Sequence, residues 1–180
     1  MIEVEIRTLL KDAKAAETAL KNKFPIVKQK RQTDEYFSHP SRNFYADSKL
    51  HEYLRIRQDS GNCSLDYHIA HISDGKKTHT EEFEVRVEDA KKIKEILLKL
   101  GFKQLVVVDK DRRVFDCGYF EACLDSIGGL GNFLEIEAKK DFGGVEKTRQ
   151  ECINFLKNIG AEYIPAPEKG YPDMLIEKLI

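Results

Sequence analysis

Charged and apolar residues alternate in several short stretches of the chain. The first runs from Glu3 to Arg7 and reads acid, apolar, acid, apolar, base. In an extended strand successive side chains point to opposite faces, so Glu3, Glu5 and Arg7 share one face and the aliphatic residues share the other. Similar stretches begin at Glu82 and Glu135. The pattern predicts strands that have one apolar face and one charged face.

Turn residues and apolar periodicity divide the chain into strands and helices. Asp12 is a candidate N-cap for the first helix, Pro25 ends it, and Gly101 and Gly160 end the second and third helices. Clusters of Gly, Asn, Ser and Asp mark the strand boundaries. The predicted strands cover residues 2–9, 26–38, 52–59, 63–72, 79–87, 103–117, 119–127 and 132–140. The predicted helices cover residues 12–23, 89–100, 145–159 and 172–179.

The charged strand faces allow two interpretations. In the first, an antiparallel sheet packs its apolar face on the helices and exposes its charged face to water. In the second, the sheet closes into a barrel with helices outside and a polar interior. Carboxylates recur at i and i+2, and bases pair likewise, as Arg55 with Arg57 and Lys110 with Arg112. A surface of this kind can hold a polyanion and its cation, which favours an α+β fold with a closed barrel, as one domain over residues 1–180.

Composition limits the classes of partner. The 180 residues carry 30 Lys and Arg against 31 Asp and Glu, so no global positive field draws in nucleic acid. No apolar run approaches the roughly 20 residues of a membrane span. The four cysteines show no CxxC spacing, which argues against zinc and favours a reducing compartment. We therefore expect a cytoplasmic protein with neither a nucleic-acid nor a membrane partner.

Ordered sequence blocks give the chain a family resemblance. Its opening stretch matches the pattern ExExK, with Arg7 at the last position. Further blocks follow at Gln32–Phe37 with His39–Phe44, Leu54–Arg57, Glu81–Val85, Lys110–Phe115 and Leu124–Glu137. In this set and order the chain resembles the CYTH superfamily of triphosphate tunnel enzymes, in particular the class IV adenylyl cyclase branch and its archaeal relatives.

The resemblance implies a closed eight-stranded antiparallel barrel that forms a tunnel, with helices outside. It implies a nucleoside triphosphate or an inorganic or organic triphosphate as substrate, with Mg²⁺ or Mn²⁺ as cofactor. By position, the metal ligands and their supports would be Glu3, Glu5, Glu82, Glu84, Asp125, Glu135 and Glu137. The triphosphate-binding residues would be Arg7, Arg55, Arg57, His68, Lys110, Arg112 and Arg113. Because Arg113 is out of phase with Arg112 on a strand, it can instead lie at the rim or outside.

Three positions depart from the family pattern. Arg7 stands where the family has lysine, which keeps the charge but changes its shape. His68 stands where a tunnel lysine is usual, and Thr80 stands where many relatives carry arginine. Neutral imidazole and hydroxyl groups supply no permanent positive charge, so triphosphate binding at these two positions would be weakened or altered.

These residues leave several functions open. The first is a class IV adenylyl cyclase, which converts ATP to cyclic AMP and pyrophosphate. The second is an inorganic or organic triphosphatase, for example one acting on thiamine triphosphate. The third is a non-catalytic protein that binds triphosphates or nucleotides, suggested by His68 and Thr80. A plain barrel with a solvated charged face is the fourth. The sequence assigns no general base, and it leaves the oligomeric state open, a homodimer included.

Overall fold

The computed structural model describes residues 4–44, 52–73, 76–166 and 169–179, and side chains are described outside 70–80. Two predicted positions, Glu3 and the side chain of Thr80, therefore lie outside this part. The described strands are β1 (Glu5–Leu10), β2 (Ile26–Ser38), β3 (Glu52–Asp59), β4 (Asn62–Ser73), β5 (Lys76–Arg86), β6 (Lys103–Cys117), β7 (Phe120–Ile127), β8 (Gly131–Ala138) and β9 (Tyr163–Pro165). The helices are α1 (Ala13–Lys21), α2 (Ala90–Lys99), α3 (Val145–Ile159) and α4 (Tyr171–Glu177).

The strands form one antiparallel sheet in the order β5-β4-β3-β2-β6-β7-β8-β1-β9. The α+β class is thereby confirmed. The predicted closure into an eight-stranded barrel is not, because within the described residues the sheet ends at β5 on one side and at β9 on the other. The physical reason at one end is that β9 takes the outer edge of β1, where Thr8 to Leu10 pair with Tyr163 to Pro165.

Local sequence signals account for most element boundaries. Asp12 caps α1 by accepting a hydrogen bond from the Ala15 amide at 2.9 Å, and Asp89 caps α2 in the same way. Gly160 ends α3 in a left-handed conformation that a residue without a Cβ adopts at little cost. Strand β9 was not predicted, because its three residues end at a proline in a proline-rich segment.

The chain forms two compact units, one of Met1–Lys30 with Lys110–Glu168 and one of Arg31–Asp109 with Lys169–Ile180. In the first unit, the apolar face of β1, β6, β7 and β8 packs with α1 and α3. Its fully buried members include Leu20, Phe115, Leu134, Ile136 and Cys152. Helices thus cover the apolar strand face in this unit, as predicted, and most charged residues of these strands lie on the opposite face.

In the second unit, α2 packs on the apolar face of the strands around Phe37, Ile56 and Leu97. Each unit has its own apolar cluster and its own set of charged side chains. A single domain over residues 1–180 stays a prediction.

Candidate functional site

Strand register determines which side chains of the first unit share the charged face. In an antiparallel sheet, residues directly opposite each other lie on the same side. Arg7 lies opposite Glu135, Glu135 lies opposite Cys123, and Asp125 lies opposite Arg112. Strands β6, β7, β8 and β1 are neighbours in that order, so residues far apart in the sequence of this unit lie on one surface.

Arg112 is the centre of an ion-pair network on this face. Its Nε and Nη2 donate to the two carboxylate oxygens of Asp125 at 2.6 and 2.5 Å, and Asp125 is fully buried. Arg112 also donates to Glu135, which accepts a second bond from Arg7 Nε at 2.9 Å. Although burial disfavours the charge of Arg112, the bond to Asp125 and the nearby Glu135 carboxylate outweigh it and raise the pKa of the guanidinium. The network holds the guanidinium groups of two arginines beside two carboxylates.

A row of four carboxylates crosses the same face next to this network. Asp116 lies opposite Glu121, Glu121 opposite Glu137, and Glu137 opposite Glu5. Directly opposite Cβ atoms in such pairs are about 5 Å apart, so like charges accumulate along the row. Asp116 and Glu121 were missed by the sequence analysis, although both are in phase with predicted residues, Asp116 with Arg112 and Glu121 with Asp125.

Oxygen donors of this kind are the ligands that Mg²⁺ and Mn²⁺ prefer, so the chemistry of the row fits the predicted cofactor. Within the described residues, no three His, Cys, Asp or Glu side chains are arranged closely enough to form a metal site. Asp125 and Glu135, predicted as metal ligands, instead accept hydrogen bonds from arginine. Glu5, Glu121 and Glu137 make up the rest of the acidic set on this face, where the Glu5 carboxylate lies 4.0 Å from Arg7 Nη2.

Cys123 adds a neutral group to the face. Burial raises the pKa of its thiol to about 12, so it is protonated at neutral pH. Its sulfur lies 3.5 Å from a carboxylate oxygen of Glu121. A neutral thiol at this position does not change the net charge of the face.

Arg55 and Arg57 on β3 carry the charged cluster of the second unit. Arg57 donates from Nε and Nη2 to the two oxygens of Asp34 at 2.8 and 2.9 Å. Arg55 donates from Nε to Asp66 at 2.7 Å, and its Nη1 lies 3.7 Å from Asp34. Gln32 donates its amide N–H to Asp34 at 2.8 Å. Asp34 and Asp66 were not among the predicted site residues, yet they hold the two arginines that were.

His68 lies beside this cluster, buried on β4. Its ring stacks on that of Tyr53 with centroids 4.7 Å apart, and its Nδ1 lies 2.9 Å from the Tyr53 hydroxyl. A carboxylate oxygen of Glu82 is 3.3 Å from the same nitrogen. Burial, helped by the positive charge of Arg55, lowers the pKa of His68, so the imidazole is neutral at pH 7. The predicted loss of a permanent charge at this position agrees with this direction.

The remaining predicted residues fall in different places. Arg113 lies on the helix side of the sheet, where it donates to Glu17 of α1 at 2.6 Å, so it does not join Arg112. Lys110 is buried and in phase with Arg112 on β6. Glu82 and Glu84 are exposed on β5, opposite His68 and Asp66 respectively. Phase along each strand was thus a reliable guide to which charged residues share a face.

No helix in the described part of the chain is long and apolar enough to cross a membrane.

Comparisons with known proteins cover nearly the whole chain. The family model of the CYTH domain matches residues 1–162. A Methanocaldococcus jannaschii protein named "Putative adenylate cyclase MJ0240" is 35% identical over 97% of this chain and 98% of its own length. The solved structure of PH1819 from Pyrococcus horikoshii is 29% identical, with a TM-score of 0.76 over 98% of this chain and 99% of that one. A Hippeastrum structure named for a "Putative adenylyl cyclase", whose description reports a dominant triphosphatase activity, is 20% identical with a TM-score of 0.67 over 98% of this chain and 96% of that one.

Proposed function

The chain belongs to the CYTH domain family, and from that premise we propose that it is a divalent-metal-dependent enzyme acting on a triphosphate. Cyclisation of ATP to cyclic AMP and pyrophosphate is the reaction we put first. The full-length relative from M. jannaschii carries a cyclase name, which supports this choice. Among structural observations, the carboxylate row beside the Arg112 network carries the proposal.

Charge balance explains why a cation is needed. On the charged face of the first unit, the registered strands place six acids, Glu5, Asp116, Glu121, Asp125, Glu135 and Glu137, against four bases, Arg7, Lys110, Arg112 and Lys139, the last of which pairs with Asp116 at 2.5 Å. A face with this excess of negative charge repels a triphosphate, because like charges repel strongly at short range. A divalent cation held by Glu5, Glu121 and Glu137 would neutralise the row and bind phosphate oxygens at the same time.

The arginines of the face would bind the phosphates themselves. Asp125 occupies Nε and Nη2 of Arg112, and Glu135 receives a further bond from Nη2, which leaves Nη1 of Arg112 to donate. Guanidinium N–H groups match phosphate oxygens in geometry and charge. We propose that Arg112 and Arg7 bind phosphate oxygens in this way, and that Lys110 adds a point charge.

In the cyclase reaction the ribose 3′-oxygen attacks the α-phosphorus of ATP. The new O–P bond closes the cyclic phosphodiester, the bond from the α-phosphorus to the bridging oxygen breaks, and pyrophosphate leaves with the bond electrons. The proton of the 3′-hydroxyl is released to solvent. Fixed hydrogen-bond donors around the phosphates stabilise the negative charge that develops on the leaving pyrophosphate. Electrostatic stabilisation of this kind is usually the largest single contribution of an active site to the reaction rate.

Triphosphatase activity is the second candidate, favoured by the description of the Hippeastrum protein, whose fold this chain shares. Water would then attack the terminal phosphorus and orthophosphate would be released. The same arginines and cation would serve, since both reactions bind a triphosphate and stabilise a departing phosphate group.

Product analysis separates the candidates. We expect the protein, incubated with ATP and Mg²⁺ or Mn²⁺, to release cyclic AMP and pyrophosphate in equal amounts. Release of orthophosphate from ATP, tripolyphosphate or thiamine triphosphate without cyclic AMP would assign the chain to the triphosphatases. Tight triphosphate binding with no product over hours would show a non-catalytic binding protein and contradict the enzymatic proposal.

A further inference from the structure

The two arginines of the second unit are each held by a buried carboxylate. Asp34 is 3% exposed and binds Arg57 through both of its oxygens, at 2.8 and 2.9 Å. Asp66 is fully buried and binds Arg55 through Nε at 2.7 Å. Burial prevents both carboxylates from swinging away, so the planes of the two guanidinium groups are fixed by the protein interior.

The way each arginine is held leaves a defined set of donors. A guanidinium carries five N–H groups in a rigid plane. Asp34 takes the Nε–H and one Nη2–H of Arg57, which leaves three N–H groups directed away from Asp34. Asp66 takes the Nε–H of Arg55, while Nη1 of that residue lies 3.7 Å from Asp34 and its guanidinium also bonds Tyr36. The remaining donors of Arg57 therefore point in directions that Asp34 sets.

The same carboxylates cancel the net charge of the arginine pair. Two guanidinium groups and two carboxylates sum to zero, and the neighbouring His68 is neutral. Net charge alone would therefore attract a polyanion weakly, and the useful property of the pair is the direction of its donors. We propose that Asp34 is a positioning residue, which directs Arg57 toward phosphate oxygens and so strengthens triphosphate binding, with Asp66 serving Arg55 in the same way; this inference rests on the proposed function.

Asp34→Asn tests the proposal because a role of Asp34 in directing Arg57 and a role through charge alone predict opposite changes in triphosphate affinity. Asparagine has a single acceptor oxygen, so Arg57 loses one of its two bonds, while the cluster gains one net positive charge. If Asp34 acts by directing Arg57, the Kd of Mg²⁺-tripolyphosphate, measured by calorimetry on the full chain, rises about tenfold. If only charge mattered, D34N would bind as tightly as the wild type or more tightly, and that result would overturn the proposal.

A double-mutant cycle shows whether Asp34 acts through Arg57. In a protein that already carries Arg57→Ala, D34N is expected to change the Kd by less than about twofold, since the residue it directs is gone. Losses that simply add in the double mutant would contradict the proposal. Arg57→Lys, which keeps the charge without the planar fork, is expected to bind as weakly as D34N; wild-type affinity for this variant would also contradict it.

Asp109 offers a matched control in the same unit. It forms a two-point ion pair with Arg31 at 3.2 and 2.7 Å, but at the protein surface. Asp109→Asn should leave the Kd of Mg²⁺-tripolyphosphate unchanged. A loss of affinity as large as that of D34N would overturn the proposal. If D34N does not fold, Asp34→Glu keeps the charge and displaces the carboxylate, and about a tenfold loss is expected again. A wild-type protein that binds no triphosphate would overturn the proposed function together with this inference, whereas a binding wild type with an unaffected D34N would overturn this inference alone.

Discussion

Two adjacent residues of β6 have opposite expected roles. Arg112 lies on the charged face and binds Asp125 and Glu135, whereas Arg113 lies on the helix face and binds Glu17. Their identical chemistry and neighbouring positions make them a matched pair, in which the strand face alone decides the role.

We predict that Arg112→Lys weakens binding of Mg²⁺-tripolyphosphate by about 10- to 100-fold, because lysine cannot reproduce the fork that bonds Asp125 and phosphate together. Arg113→Lys keeps a charge near Glu17 on the face away from Arg112, so it should change the Kd by less than about twofold. Calorimetric titration of both variants with Mg²⁺-tripolyphosphate measures the two Kd values. Equal losses in the two variants would contradict the assignment of faces.

At the same scale, phase along each strand predicted which charged residues share a face. Alternation placed Arg7, Arg112 and Glu135 on one face, and it set Arg113 apart from Arg112. It could not reveal that Asp125 and Glu135 bond to arginine, because that depends on which strands are neighbours. Asp34 and Asp66 were missed for the same reason, since their partners Arg57 and Arg55 lie on another strand.

The carboxylate row belongs to the scale of whole strands, since β6, β7, β8 and β1 each contribute one acid. Glu121→Gln removes one negative charge from the row and should raise the melting temperature of the metal-free protein, because like-charge repulsion falls. The same change should weaken Mg²⁺ binding about tenfold and remove roughly 1.4 kcal/mol of metal-linked stability at saturation. Thermal unfolding with and without Mg²⁺ measures both effects.

Glu95→Gln, on the exposed surface of α2, serves as the control for Glu121. It should leave the stabilisation by Mg²⁺ as it is in the wild type. A Glu121→Gln protein that keeps the full metal-induced shift would show that the row does not hold the cation.

The start of α3 gives a pH-dependent prediction. Asp141 accepts hydrogen bonds from the amides of Gly144 and Gly143 at 2.6 and 2.7 Å, and these bonds lower the pKa of its carboxyl below the ordinary 3.8. A lowered folded-state pKa means that this stabilisation is present above pH 3.8 and is lost as the pH falls through the folded-state value.

Asp141→Ala should therefore lower the melting temperature near neutral pH, and the difference from the wild type should shrink as the pH falls below about 4. Thermal unfolding across a pH series measures the difference. Asp141→Asn keeps an acceptor oxygen without the charge and should show a smaller pH dependence than the wild type. A difference between Asp141→Ala and the wild type that is constant over the series would contradict the role of the charge.

Element positions were largely predictable because caps, prolines and glycines mark them locally. Asp12, Asp89 and Gly160 each lie at a helix end that the sequence indicated. The short β9 was not predictable, since its pairing with Thr8 to Leu10 joins residues more than 150 positions apart. Closure of the sheet is likewise a property of long-range pairing; the charge pattern and the resemblance both predicted it, and the described part of the sheet is open at β5 and β9.

At the scale of the whole molecule, the metal ion is a condition for substrate binding under the proposed function. An excess of carboxylates over bases on the face of the first unit opposes a polyanion, and a divalent cation reverses that balance. Family membership makes triphosphates the expected ligands, and the full-length relative named as a cyclase makes ATP the first to try.

The most direct test is a calorimetric titration of the protein with ATP, made once with Mg²⁺ and once with EDTA in place of the metal. We predict saturable binding with Mg²⁺ and binding at least about tenfold weaker with EDTA, because the carboxylate row is then not neutralised. Absence of binding in both titrations, or the same Kd in both, would contradict this prediction.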